Sequence, residues 1–331
     1  MEPAGCFLAG AAAAAGALRL LVRRAGAAGP ETRPAAACVP YLESARKRAL
    51  LISNSRLFGL GYLDHVESHI KDFLGELPET AHVLFVPYAL KDRDGYAATA
   101  RKRFEEMGYR LKSLHEVTST AARLQAVREA TCIFVGGGNT YRLLRCLSAD
   151  PELLPLIHQR VNSGELRYIG SSAGTNLACP TIRNTNDMPI VWPPSLAGLC
   201  LVPFQVNTHY IDRDREVAHH MGEPRELRLT EFMEENAIPV VALREGATIS
   251  VEGASARLLG PARRSPEITW DGARLRRRDV LGGSLELKSG DDLSFLMRPP
   301  SCASADPEGL WVAKLLDTEA KSGSPGNFTN G

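Results

Sequence analysis

At 331 residues the chain is long enough for one α/β domain of about 200 to 250 residues with appendages. Its 39 Lys and Arg against 38 Asp and Glu leave a formal net charge of +1, and without a long single-sign run this excludes a strongly basic nucleic-acid surface. The longest wholly apolar stretch, residues 7–18, is too short for a membrane span of roughly twenty residues, so no membrane partner is expected.

In chain order, residues 1–45 are biased toward Ala, Gly and Arg, lack an acidic residue between Glu2 and Glu31, and carry Arg19, Arg23 and Arg24 close together. That charge pattern is similar to a mitochondrial transit peptide, though poor in Ser; a disordered low-complexity extension is the alternative reading. From residue 46 the pattern changes to short apolar runs alternating with amphipathic stretches. Residues 49–53, 82–86, 131–135 and 167–170 read as strands, and their apolar character predicts burial on both faces. Between them, 62–77, 96–107, 121–130 and 141–161 read as helices. This order implies right-handed crossovers and an α/β fold: a three-layer, mostly parallel sheet with helices on both faces. After about residue 195 the runs shorten (199–206, 239–243, 248–251, 256–259, 267–270) and read as hairpins added at the far edge. A catalytic α/β domain is thus expected over 46–298, followed by a disordered tail over 299–331 rich in Ser, Gly, Pro and Asn. The seven cysteines are scattered, odd in number and free of CxxC or Cys/His metal spacing. Free thiols in a reducing, cytoplasmic setting are expected, with no disulfide framework and no zinc.

Two glycine-rich turns carry chemistry. Gly170-Ser171-Ser172-Ala173-Gly174 follows a predicted strand and fits G-x-S-x-G, a motif that acts when a strand turns abruptly into a helix and lifts the central serine into view. The helix that follows aims its amino terminus at the site and favours an oxyanion. Gly136-Gly137-Gly138-Asn139-Thr140 also joins a strand to a helix. It suits an oxyanion hole, or equally a tight turn capped by Asn139 or Thr140. Both turns stand at the carboxyl ends of parallel strands, where such sheets bind ligands.

A serine hydroxyl needs a base. Of eight histidines, His65, His69, His82, His115 and His158 read as solvated or structural and His219 and His220 as surface. His209 stands at a strand end and is the candidate base. The acid that orients it is left open between Asp187 and Glu245, each beside a strand-like run.

At this point the chain resembles the peptidase E family of aspartyl dipeptidases over about residues 49–298. The resemblance rests chiefly on YIGSSAGTNLACPTIRNTNDMPIV at 168–191, with VGGGNT at 135–140, QVNTH at 205–209, GEPRE at 222–226 and LREG at 243–246. It implies a fold akin to class I glutamine amidotransferases and removal of an amino-terminal aspartate from small peptides, with no metal or organic cofactor. Residue by residue it implies Ser172 as nucleophile, His209 as base, Asp187 or Glu245 as acid, and Gly138 and Ala173 as the oxyanion hole. Asn139, Arg225 and Arg183 are the substrate-binding candidates, since a substrate aspartate calls for a cation, best a bidentate arginine. The expected partners are small peptides with N-terminal Asp, handled by a monomer or homodimer. The chain departs from the family pattern at Ser171, Thr208, Arg244 and Ala247. A cyanophycinase-like hydrolase, an esterase and a non-catalytic protein of the same fold are the alternatives.

Overall fold

The computed structural model describes residues 46–212, 223–264, 272–277 and 284–298. The terminal extensions expected at 1–45 and 299–331 lie outside these residues, as do the strand expected at 267–270 and the histidines at 219 and 220.

Strands β1 (Arg48–Ile52), β2 (Val83–Val86), β3 (Leu111–Ser113), β4 (Cys132–Val135) and β5 (Arg167–Ser171) run parallel in the order β3-β2-β4-β5-β1. Helices α1 (Glu67–Leu74), α2 (Arg93–Glu106), α3 (Thr120–Glu129), α4 (Thr140–Leu147) and α5 (Leu153–Asn162) connect them. Period-two alternation along β1 explains why both faces need cover. Ala49 and Leu51 join a large core that includes Val127, Leu143, Ile157 and Leu177. Leu50 and Ile52 join a second core built with Ile70, Phe73, Ala100 and Phe104. The α/β class read from the sequence is therefore the class observed.

Two local differences have identifiable causes. The single helix expected at 141–161 is two, α4 and α5, with a break at 148–152 around Pro151, whose ring and missing N–H interrupt a helix. The edge hairpin is real for β8 (Thr248–Glu252) and β9 (Ser255–Leu259), which extend the first sheet antiparallel to β1. The other late runs form a separate four-stranded sheet, in which β6 (Gln205–Tyr210) and β7 (Val240–Arg244) pair parallel. Helix α7 (Arg225–Glu235) lies between β6 and β7 in the chain, so a two-residue turn could not join them. Strands β10 (Ala273–Arg276) and β11 (Ser284–Leu287) complete this sheet in the order β11-β10-β7-β6.

Candidate active site

The turn from β5 into α6 (Ala173–Ala178) places Ser172 at φ +52° and ψ −108°, a conformation that costs about 1–3 kcal/mol for a residue with a side chain. Neighbouring bonds hold it there. Ser172 N–H donates to the Ile52 carbonyl at 3.0 Å, and the Ser172 carbonyl accepts Asn176 N–H at 2.9 Å. Tyr168 Oη donates to the Gly174 carbonyl at 2.6 Å. A Cβ on Gly174 would meet the Val135 carbonyl oxygen at 2.1 Å, so close packing of α6 on β4 explains the glycine after the serine.

The glycine turn between β4 and α4 lies against this elbow, since a Cβ on Gly137 would sit 3.0 Å from Ser172 Cβ. Gly136 N–H donates to the Val86 carbonyl and Asn139 N–H to the Ala89 carbonyl, while Gly137 N–H donates to Tyr96 Oη at 2.8 Å. Among the described residues this leaves Gly138, at φ +129°, as the turn's unengaged N–H. The N–H of Ala173 opens α6 and so has no acceptor within its helix. The Ala173 N–H directly follows Ser172, and the Gly138 N–H follows the glycine that abuts it; backbone donors of this kind can receive an oxyanion.

His209 occupies an irregularity in β6. Asn207 pairs with Ala242 and Tyr210 with Arg244, so three steps on β6 match two on β7. The extra residue is accommodated by φ +55° at His209, and such bulges re-aim a side chain. The ring then bridges two groups: Nε2 lies 2.9 Å from Ser172 Oγ and Nδ1 lies 2.9 Å from Glu245 Oε1. A carboxylate only accepts, so Nδ1–H donates to Glu245 and the Nε2 lone pair faces the hydroxyl. The hydrogen bond from His209 holds the Glu245 carboxyl below the usual range against the opposing effect of burial, with the charges of His209, Arg225 and His65 adding to it.

Asp187 is engaged elsewhere. Its Oδ2 accepts Thr140 N–H at 2.8 Å, Thr140 Oγ1 at 2.5 Å and Thr185 Oγ1 at 3.0 Å. Asn176 Nδ2 donates to both threonine hydroxyls. The carboxylate is therefore fastened to the first residue of α4, immediately after the glycine turn. Asn139 caps α4 by accepting Arg142 N–H at 3.0 Å and donates to the Met188 carbonyl at 2.8 Å, which occupies both ends of its amide. Arg225 opens α7 and acts electrostatically on Glu245. Arg183 instead donates to Asn236 Oδ1 at 2.8 Å.

His65, expected to be solvated or structural, is wholly buried. Other neighbours of the site escaped the sequence reading. Arg244, just before Glu245, donates to Asp212 at 2.8 and 2.9 Å and to Glu286, and Arg274 also donates to Asp212. This ion network ties the end of β6 to β7, β10 and β11. Ser53 and Asn54 contact the segments carrying His209 and Glu245. Their position at the carboxyl end of a predicted parallel strand was the available signal.

A family model described as Peptidase family S51 matches residues 49–259. A protein of Drosophila melanogaster named "Probable alpha-aspartyl dipeptidase" is 44% identical over 252 residues, which covers 76% of this chain and 98% of that protein. Peptidase E of Streptomyces coelicolor is 46% identical over 248 residues, covering 75% of this chain and 94% of the relative. In fold, the chain resembles the crystal structure of a peptidase from an acI-B1 Actinobacterium, with a TM-score of 0.53 at 16% identity over 76% of this chain and 99% of the other.

Proposed function

The chain belongs to peptidase family S51 and is a dipeptidase, and from that premise we propose that it releases the N-terminal aspartate of Asp-Xaa dipeptides through an acyl-enzyme on Ser172. The observation that carries this reading is the continuous relay Ser172–His209–Glu245, with both links at 2.9 Å.

In the first half-reaction Nε2 of His209 takes the Ser172 proton as Oγ attacks the scissile carbonyl. Glu245 accepts from Nδ1–H, keeps the ring oriented and offsets the imidazolium charge. The N–H groups of Gly138 and Ala173 receive the developing oxyanion. The imidazolium then protonates the departing amine, and Xaa leaves as the acyl-enzyme forms. In the second half-reaction the neutral imidazole takes a proton from water, the hydroxide equivalent attacks the ester, and aspartate departs as Ser172 regains its proton.

Arg225 is assigned to the substrate's side-chain carboxylate, a reading supported by its electrostatic reach to Glu245. Asp187 is assigned to the oxyanion turn through its grip on Thr140, and Asn139 to capping α4. A cytoplasmic setting is part of the reading, supported by the free thiols of Cys132, Cys146, Cys179 and Cys200. Among the described residues no helix is long and apolar enough to cross a membrane.

The test is release of aspartate from Asp-Leu by purified protein. Replacing Ser172 with Ala is expected to lower kcat on the order of a millionfold, as loss of a triad nucleophile does. Turnover by S172A at the wild-type rate would remove Ser172 from the chemistry.

A further inference from the structure

Three consecutive residues at the carboxyl end of β1 each touch a segment carrying a different member of the relay. The Ile52 carbonyl accepts the N–H of Ser172 at 3.0 Å. Ser53 Oγ accepts the N–H of His209 at 3.0 Å and donates to the Leu243 carbonyl at 2.9 Å, two residues before Glu245. Ser53 N–H donates to the Ala247 carbonyl at 3.0 Å, two residues beyond Glu245. Asn54 Oδ1 accepts Gly246 N–H at 2.7 Å. Both side chains are buried, Ser53 at 0% and Asn54 at 1% exposure.

We infer that Ser53 and Asn54 are positioning residues for the dipeptidase reaction, setting base and acid in register with the nucleophile from one point on β1. The inference rests on the Ser172–His209–Glu245 reading above. One hydroxyl joins the His209 N–H to the Leu243 carbonyl, so it couples the bulge that aims the imidazole to the strand that delivers the carboxylate. A non-glycine residue leaves the left-handed region unless its surroundings hold it. The acceptor at Ser53 supplies that hold. Without it the His209 N–H is left to find another partner, the backbone relaxes, and the ring drifts from Ser172 Oγ. A displacement of about 1 Å at a reacting group can lower turnover about a hundredfold. Substrate binding is assigned to Arg225, and Ser53 bonds instead to His209, Leu243 and Ala247, so KM is expected to stay near its wild-type value.

The experiment compares wild type, S172A, S53A, S53T and N54A on Asp-Leu, with thermal unfolding of each. Expected for S53A is a kcat about a hundredfold lower with KM within about threefold and a melting temperature close to wild type. S53T keeps the hydroxyl and is expected to recover most of the loss. N54A, which removes the Gly246 acceptor together with the Asn54 amide donor to the Arg56 carbonyl, is expected to lose about tenfold in kcat and decides the matter if S53A fails to fold. Wild-type kcat in both S53A and N54A, a loss that S53T does not recover, or losses that only follow the fraction unfolded would overturn the inference. Should S172A retain turnover, the relay itself fails; an inactive S172A beside indifferent S53A and N54A sinks this inference alone.

Discussion

Glu245 and Asp187 are the two candidate acids, and hydrogen bonding separates their tasks. Glu245 meets the imidazole; Asp187 accepts from one backbone N–H and two hydroxyls at the start of α4. These roles respond differently to an isosteric amide. In E245Q the charge opposite the imidazolium is gone, and kcat on Asp-Leu is expected to fall by roughly a thousandfold to ten-thousandfold. In D187N an amide oxygen still serves neutral donors, so kcat should stay within about tenfold of wild type. Steady-state kinetics of the two variants checks the assignment, and a reversed order would move Asp187 to the imidazole. At this scale the sequence could nominate Ser172 and His209, because a strand-flanked G-x-S-x-G and a histidine at a strand end carry their own context. It could not rank the two acids, since that depends on which loop folds against which ring. Ser53 was legible only as the end of a predicted strand: its hydroxyl meets partners 156 and 190 positions away, and a Ser-Asn pair there has the look of any loop.

Among the elements, the parallel strands were the most readable, because burial on both faces leaves an unbroken apolar run that periodicity detects. The bulge in β6 was not, since a register shift is a property of two strands and β7 lies thirty residues on. The charged partners of Arg244 were equally hidden, as its acceptors Asp212 and Glu286 come from distant segments. The elbow between β5 and α6 can be tested as a unit through Gly174. Its Cα approaches the Val135 carbonyl so closely that a methyl would sit 2.1 Å from the oxygen. Replacing Gly174 with Ala must push α6 away from β4, and overpacking of this kind costs about 3 kcal/mol. A lowered urea midpoint together with a large loss of kcat is expected. Unchanged values of both would show that helix and strand have room to spare.

For the whole molecule, acid stability is the property most exposed to one buried group. Burial pulls the His65 imidazole from 6.5 to about 4, against smaller raising effects from Asn54, Asp64 and Glu245. Above pH 6.5 folded and unfolded chains both carry it neutral. As pH falls below that value the unfolded chain binds a proton that the folded chain refuses until about pH 4, so folded stability drops by about 3 kcal/mol across that window. A His65→Leu variant lacks this linkage. Urea unfolding at neutral pH and at about pH 4 should show a wild-type loss larger than the variant's by that amount, and parallel losses would point to other titrating groups.

The two sheets also divide the relay between them. The elbow belongs to the seven-stranded sheet, whereas the base arrives on the four-stranded one, 37 residues later, and its acid a further 36 residues along. The hydroxyl is therefore synthesised before either of the groups that activate it. Until the turn beyond β7 has been synthesised and has settled on β1, the imidazole lacks its carboxylate partner and the relay is incomplete.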